Sequence, residues 1–253
     1  MNIRKISQNE LDNVNLMIMN KVPIKRIAKI VKVSTASIYY HFPNVKKKKF
    51  NPVVIQSADE ELIGEFIGVF AGDGNFYMDN NWTYKISLYF NKTEKTYANK
   101  LKIILLRLFG KLPMQTNTYN KIILKWYSKN IYLLIKKYLD WDDTGRKTHS
   151  VRLKKDNYSK EFEIGFLRGS LDSDGYFSDR TIMFASSSKR LIENIKSFLQ
   201  DVAIPYKYHE YIEKRPNRVN MHHVSIRKPD RLRFIELIHP RERKNIKNAP
   251  AEI

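Results

Sequence analysis

The chain has 253 residues, of which 42% are hydrophobic and 12% aromatic, and this is ample for a packed core. Its 46 Lys and Arg residues outweigh 26 Asp and Glu residues, giving a net charge of +20, so a polyanion is the expected partner. Because cysteine is absent, disulfides, iron–sulfur clusters and thiolate zinc sites are excluded, and the histidines show no metal-ligand spacing. Any catalytic metal must therefore be bound by oxygen atoms.

No apolar run in the sequence approaches the roughly 18 residues that span a bilayer. The longest candidate, at 103–109, is interrupted by Arg107, and residues 1–10 lack the apolar core of a signal peptide. We expect no membrane partner and a cytoplasmic location in a prokaryotic or archaeal cell, with an organelle as the alternative.

The pattern within residues 1–45 predicts a helix-turn-helix module, followed by a basic linker at 46–57. Pro23 is typical of a helix start and Ser34 of an N-cap, while Lys32 occupies the turn, where glycine is common. Residues 33–43 resemble the recognition helix of the tetracycline-repressor family and of small transposase or resolvase modules. Such a module would contact DNA through Thr35, Ser37, Tyr39, Tyr40, His41, Lys46, Lys47, Lys48 and Lys49. A helical hairpin that only packs on the larger domain is the alternative.

Two units of about one hundred residues follow, at 58–150 and 151–253, with the same order of predicted elements. In the first unit, helices are expected at 59–71, 101–108 and 130–139 and strands at 84–90 and 122–127. In the second unit, helices are expected at 161–172, 191–202 and 230–239 and strands at 181–186 and 222–228. The pattern predicts an α+β fold of two pseudo-twofold-related αββαββα units plus a small all-α domain.

The two units open with nearly the same segment, EELIGEFIGVFAGDGNF at 60–76 and EFEIGFLRGSLDSDGYF at 161–177. Seven of the seventeen aligned positions match, where chance gives roughly one, so we infer an internal duplication. Each copy has two glycines four residues apart, on one helix face, despite a cost of about 1 kcal/mol for each glycine. Such faces let two backbones touch, so we expect the two helices to pack on each other about a pseudo-twofold axis.

Each copy ends in Asp-Gly, at Asp73 and Asp174. An aspartate in the last turn faces the negative end of the helix dipole, and two adjacent aspartates also repel each other. A fold that accepts both costs is expected to hold a positive group there, and oxygen ligands suit a divalent cation such as Mg²⁺ or Mn²⁺. On a strongly basic protein the expected substrate of that cation is a phosphodiester. The alternative, an ordinary Asp-Gly turn, suits one copy better than two in the same context.

Residues 66–74 (FIGVFAGDG) and 167–175 (LRGSLDSDG) resemble the two LAGLIDADG motifs of single-chain homing endonucleases. The resemblance covers about residues 57–247 and includes the Gly-x-Phe that follows each Asp. It implies a monomeric, metal-dependent endonuclease that cuts both strands of a long, asymmetric double-stranded DNA site and leaves short 3′ overhangs. The sixth motif position differs between the copies, being Ala71 in the first and Asp172 in the second, which puts the packing symmetry in doubt.

Carried over by position, the resemblance implies a set of catalytic acids, metal ligands and basic residues. The acids are Asp73 and Asp174, the further metal ligands are the backbone carbonyls of Gly72 and Ser173, and the basic residues near the scissile phosphates are Lys147 and Lys244. For the two lysines, solvated surface charge is the alternative.

The strands of each unit in this family lie in the major groove, which a β-ribbon fits and where base edges are unambiguous. Polar and basic residues on the outer strand faces are therefore the candidates for base contacts. They are Lys85, Ser87, Tyr89, Lys125, Tyr127, Ser186, His223, Ser225 and Arg227.

Two other functions share this fold and charge. One is a DNA-binding regulator that has lost cleavage, against which the intact pair Asp73 and Asp174 argues. The other is an RNA maturase, whose partner would be intron RNA. The host element, whether intron, intein or free-standing gene, is left open by the sequence.

Overall fold

A computed structural model of the chain describes residues 6–20, 22–43, 53–56, 58–78, 83–142, 146–155, 157–178, 181–216 and 219–241. The chain divides into two compact units, Met1–Pro52 and Val53–Ile253. Lys46, Lys47, Lys48, Lys49 and Lys244, all predicted as functional, lie outside the described residues. Across the described ranges, every helix is too short or too polar to cross a membrane.

Within its described residues, the N-terminal unit contains three short helices around a small apolar core. They are α1 (Gln8–Met19), α2 (Ile24–Val31) and α3 (Thr35–His41), with Val14, Ile27, Ala28 and Ile38 buried between them. Lys32 follows α2 with φ 54°, a left-handed conformation that glycine adopts more readily. The Ser34 hydroxyl accepts the Ser37 backbone N–H, so the predicted N-cap is confirmed. The helix-turn-helix assignment itself stays a prediction.

The large unit repeats one order of elements twice, and the predicted αββαββα order is confirmed. The first repeat comprises α4 (Glu60–Asp73), β1 (Gly74–Met78), β2 (Tyr84–Asn91), α5 (Lys95–Phe109), β3 (Met114–Asn117), β4 (Lys121–Tyr127) and α6 (Lys129–Tyr138). The second comprises α8 (Lys160–Asp174), β7 (Tyr176–Phe177), β8 (Ile182–Ser186), α9 (Lys189–Asp201), β9 (Tyr206–Tyr211), β10 (Met221–Ile226) and α10 (Arg231–Ile238). Between the repeats lie β5 (Leu139–Asp140), α7 (Lys147–Ser150) and β6 (Arg152–Leu153), which the sequence patterns did not predict.

Each repeat forms one antiparallel four-stranded sheet, with strand orders β1-β2-β4-β3 and β7-β8-β10-β9. Alternation along the strands places one face against the helices and leaves the other face open, as Ile86, Leu88 and Phe90 of β2 show by their burial. The two inner faces and the helices share one continuous apolar core. The sheets therefore present two open faces.

Two predicted strand residues do not have the expected exposure. Ser186 faces the core side of β8 with Phe184, and its Oγ accepts the Ser188 backbone N–H, so its assignment to the outer face was wrong. The alternation of β8 places Met183 and Ala185 outward instead. Ser87 lies on the outer face but is only 2% exposed, and its partners across the sheet are Asn75 of β1 and Lys125 of β4.

The two motif helices, α4 and α8, are packed backbone to backbone. A Cβ atom added at Gly64 would lie 2.1 Å from the carbonyl oxygen of Phe162, and one at Gly165 would lie 1.9 Å from that of Glu61. These two contacts are related by the offset of 101 residues between the repeats, so they define a local pseudo-twofold axis. The predicted glycine-mediated helix contact is confirmed.

Candidate active site

The repeated segments bring their two acidic ends together. A Cβ atom added at Gly72 would lie 2.5 Å from Ser173 Oγ and 2.8 Å from Asp174 Oδ2, so the last turn of α4 contacts the last turn of α8. Asp73 is half-buried and Asp174 is exposed. The four predicted metal ligands therefore lie at two adjoining helix ends, open to solvent on one side.

The glycines after the two aspartates are required by close packing and not by a left-handed turn. Gly74 and Gly175 have φ values of −79° and −77°, which any residue can adopt. A Cβ at Gly74 would lie 2.3 Å from the Phe70 ring, and one at Gly175 would lie 2.3 Å from the Leu171 carbonyl oxygen. At each Asp-Gly pair the chain thus passes from a helix into a strand where there is no room for a side chain at the glycine. Neither glycine is the left-handed C-cap that commonly ends a helix.

Lys147, which was predicted near the scissile phosphates, lies at the end of the first motif helix. Its Nζ donates to the carbonyl oxygens of Phe70 and Ala71, both at 2.7 Å, and lies 3.5 Å from the carbonyl oxygen of Gly72. Burial lowers the pKa of Lys147 to about 8, while the negative charges of Asp174 and Asp73 act in the opposite direction. The ammonium group therefore lies within electrostatic reach of both acids and caps the negative end of α4.

The donor set fits a hard divalent cation. Within the described ranges, no cluster of three or more His, Asp or Glu side chains could hold a metal. The predicted ligands at the two helix ends are two carboxylates and two backbone carbonyl oxygens. Mg²⁺ is usually bound by one or two carboxylates together with waters and substrate phosphate oxygens. A cavity of about 220 Å³ adjoins Asp174 and is also lined by Ala71, Thr148 and Ser187. Space for a non-protein ligand therefore lies beside this carboxylate.

A group of charged residues lies on one side of the contact between α4 and α8, and Glu65, Arg168 and Asp172 among them are buried. Glu65, with no exposed surface, accepts two hydrogen bonds from the Arg241 guanidinium, both at 3.0 Å, and one from Arg168 at 3.1 Å. Arg168 also pairs with Glu61 at 2.6 Å, and the Arg241 backbone N–H donates to Asp172 Oδ2 at 3.3 Å. We call these five residues the charged cluster. Composition and periodicity did not predict it, although Asp172 stood out as the sixth motif position that differs between the two copies.

Asp172 makes the stability of the metal-free protein pH-dependent. Burial, and to a smaller extent the charge of Glu65, raise the pKa of Asp172 to about 7. The hydrogen bond from the Arg241 N–H and the charges of Arg168 and Arg241 act in the opposite direction. Between pH 4 and 7 the native carboxyl keeps a proton that the unfolded chain has lost, so stability falls as pH rises and the loss is complete above pH 7.

Asp172→Asn removes this titration and should stabilise the protein at high pH. We expect the difference in free energy of unfolding between the variant and the parent to grow by on the order of 2–3 kcal/mol from pH 5 to pH 8. Urea unfolding in the presence of a chelator measures it. A difference that does not change with pH would show that Asp172 is ionised throughout this range.

The predicted base-contacting residues divide between the two open sheet faces. The half-buried or exposed ones are Lys85, Tyr89, Lys125 and Tyr127 in the first repeat and His223, Ser225 and Arg227 in the second. Lys125 donates to Thr116 Oγ1 of the neighbouring strand at 3.2 Å, and His223 lies directly opposite His209. Burial lowers the pKa of His223, and the neighbouring His209 and His222 add to the shift. In the N-terminal unit, Tyr40 is 81% exposed and His41 is exposed, whereas Thr35, Ser37 and Tyr39 are half-buried.

Comparisons with known proteins agree with this architecture. Residues 161–239 match the family of LAGLIDADG-like domains. A structure of mesophilic variants of the homing endonuclease I-DmoI superposes with a TM-score of 0.55 and 13% identity, covering 72% of this chain and 98% of that one. Structures of I-DmoI with DNA and Ca and with DNA and Mn superpose with a TM-score of 0.54 and 14% identity, covering 72% and 71% of this chain and 91% and 96% of those chains. The predicted resemblance to the LAGLIDADG fold is confirmed.

Two curated relatives match at the sequence level. One is the replication factor C small subunit of Methanocaldococcus jannaschii, 25% identical over 171 residues, which are 66% of this chain and 9% of the relative. The other is a DNA polymerase of Thermococcus hydrothermalis, 25% identical over 207 residues, which are 75% of this chain and 11% of the relative. The chain thus spans about a tenth of the length of the relatives it matches.

Proposed function

From the premise that this chain has the LAGLIDADG fold and carries a LAGLIDADG-like domain in its second repeat, we propose that it is a site-specific, metal-dependent DNA endonuclease. The observation that carries the proposal is the meeting of Asp73, Asp174 and Lys147 at the ends of two adjoining helices. Two carboxylates and an ammonium group on a chain of net charge +20 suit a phosphodiester bound through a divalent cation.

Each side chain has a distinct role in this proposal. Asp73 and Asp174, with the carbonyls of Gly72 and Ser173, would hold Mg²⁺ or Mn²⁺, which when bound supplies a Lewis acid to the phosphodiester. Lys147 places its charge beside both acids, where it would stabilise the negative charge that builds up on the phosphate during cleavage. Lys244 is proposed for the same role in the second repeat. The closeness of the two helix ends suits cleavage of both strands at one locus.

The proposed substrate is a long, asymmetric double-stranded DNA site, bound by a monomer. The two open sheet faces differ in sequence, so the target needs no palindrome. Lys85, Tyr89 and Lys125 in the first repeat and His223, Ser225 and Arg227 in the second would contact bases, and Ser87 would join them only if its neighbours moved aside. The strong positive charge would supply the sequence-independent part of the affinity.

The N-terminal unit is proposed as a second DNA-contacting module. Its core holds α2 and α3 together through Ile27, Ala28 and Ile38, and Tyr40 and His41 on α3 remain exposed. This leaves a recognition surface on α3, as a helix-turn-helix requires. The lysines at 46–49 would follow the phosphate backbone.

We also propose that the chain belongs to a mobile element of the intron or intein type, acting in the cytoplasm. The supporting observation is that two differently named proteins each match it over only 9% and 11% of their length. A segment that matches differently named proteins over a small part of each is expected of an exchangeable element.

The proposal is tested by selecting cut sites from randomised duplex DNA with purified protein and Mg²⁺, then mapping the ends. We expect one long asymmetric site, cut on both strands, and binding that weakens steeply between 50 and 200 mM salt as phosphate contacts require. Site-specific binding without any cleavage would instead indicate a regulator of the same fold. No specific site at all would overturn the proposal.

A further inference from the structure

The pseudo-twofold contact between α4 and α8 is symmetric in its backbone but not in its side chains. The twofold relates Glu65 to Phe166, since Gly165 contacts the Glu65 backbone as Gly64 contacts that of Phe166. Phe166 and Phe162 lie in an aromatic row with Tyr158 and Tyr138, at centroid distances of 4.4 to 6.1 Å. One side of the contact is thus filled by rings, and the other by the charged cluster.

Stability alone does not explain why this interface contains the charged cluster. Replacing a buried ion pair by apolar residues of similar size is often neutral or stabilising, and the aromatic side shows that this interface can be built that way. A buried carboxylate that accepts hydrogen bonds from two guanidinium groups does fix geometry, because each planar fork bonds in a defined direction. The cluster is therefore suited to positioning.

Arg241 connects the cluster to the end of the second motif helix. Its guanidinium bonds Glu65 of α4 through two nitrogens, while its backbone N–H bonds Asp172 in the last turn of α8, two residues before Asp174. Arg168, which is also on α8, donates to the Ile238 carbonyl oxygen at the end of α10. The residue of α4 that corresponds to Asp172 is Ala71, which has no polar side chain. The end of α4 is bound instead by Lys147, which donates to the Ala71 carbonyl oxygen.

We propose that Arg241 is a positioning residue for the second cleavage site, one that fixes the last turn of α8, and with it Asp174, relative to the first motif helix. The inference rests on the proposed nuclease function. Because the two helix ends are held by different groups, loss of Arg241 should affect the strand cut at Asp174 more than the strand cut at Asp73.

Strand-resolved cleavage of a selected target tests the positioning role. Arg241→Ala should cut one strand at least tenfold more slowly and the other within twofold of the parent, so nicked DNA accumulates. Arg233→Ala is the matched control, since it removes hydrogen bonds from a guanidinium to the carbonyl oxygens of Val202 and Ala203 after α9 and should leave the strand ratio unchanged. Arg241→Lys keeps the charge but loses the two-pronged hydrogen bond. Its cleavage rate on the slowed strand should therefore lie between those of Arg241→Ala and the parent. Equal slowing of both strands by Arg241→Ala would overturn the proposal.

Hydrogen exchange gives a readout that does not depend on activity. In the metal-free protein, Arg241→Ala should speed exchange of the amides at 171–176 at least tenfold, while those at 70–75 stay within twofold of the parent. If the parent cleaves no DNA, the proposed function fails but this exchange difference still supports the positioning role. Should Arg241→Ala not fold, Glu65→Gln, which removes the charge that binds Arg241, replaces it, with the same expected pattern. Unchanged or uniformly faster exchange would contradict the inference.

Discussion

Replacing either proposed catalytic acid by its amide, as Asp73→Asn or Asp174→Asn, is expected to slow DNA cleavage by roughly 10³-fold or more. Asparagine and aspartate side chains are nearly the same size, so the helix ends should keep their packing around Gly72. What is lost is one of the two carboxylates proposed to hold the metal, and an amide is a far weaker ligand for Mg²⁺ than a carboxylate. Cleavage of both strands is measured on a target obtained by selection.

The same variants should bind DNA at least as tightly as the parent. Removing a negative charge beside the expected phosphate position reduces repulsion, and the contacts made by the sheet faces are unchanged. Glu161→Gln, at the exposed start of α8, is the matched control and should cleave normally. Binding without metal is measured by gel mobility shift. Cleavage at the parental rate in both amide variants would remove Asp73 and Asp174 from the mechanism.

The fold could be predicted because local signals and the repeat agree with each other. The glycine pairs spaced by four residues fixed which helix faces touch, and the alternation of apolar and polar residues in β2 marked a half-buried strand. The duplication then supplied the long-range relation that a single unit lacks. With two copies at an offset of 101 residues, a pseudo-twofold axis follows without any knowledge of contacts.

Other features could not be predicted because they depend on contacts distant in the sequence. Ser186 was assigned to the outer face because it is polar. The alternation of β8 places it on the inner face instead, where its hydroxyl accepts a hydrogen bond from the Ser188 backbone N–H. Glu65 and Arg241 are 176 residues apart, and nothing local to either residue indicates the other. Asp172 was visible as a difference between the two motif copies, yet its meaning required the partners that only the fold brings near.

Adding a single methyl group at the helix contact, as Gly165→Ala or Gly64→Ala, should destabilise the protein by about 3 kcal/mol or more. Alanine in place of glycine within a helix normally stabilises by up to about 1 kcal/mol, so the expected sign is reversed here. The new Cβ would lie 1.9 Å from the Glu61 carbonyl oxygen or 2.1 Å from that of Phe162. These obstacles are backbone atoms, which no change of rotamer can move aside.

The helices would have to separate to accept the methyl group, and this links stability to function. Separation at Gly64 or Gly165 would also shift Gly72 away from Asp174, so cleavage should fall together with the free energy of unfolding. Chemical unfolding and DNA cleavage are measured on the same preparations, with Glu161→Ala as an exposed helical control that should change neither. Normal stability in both glycine variants would mean that α4 and α8 do not touch through these residues.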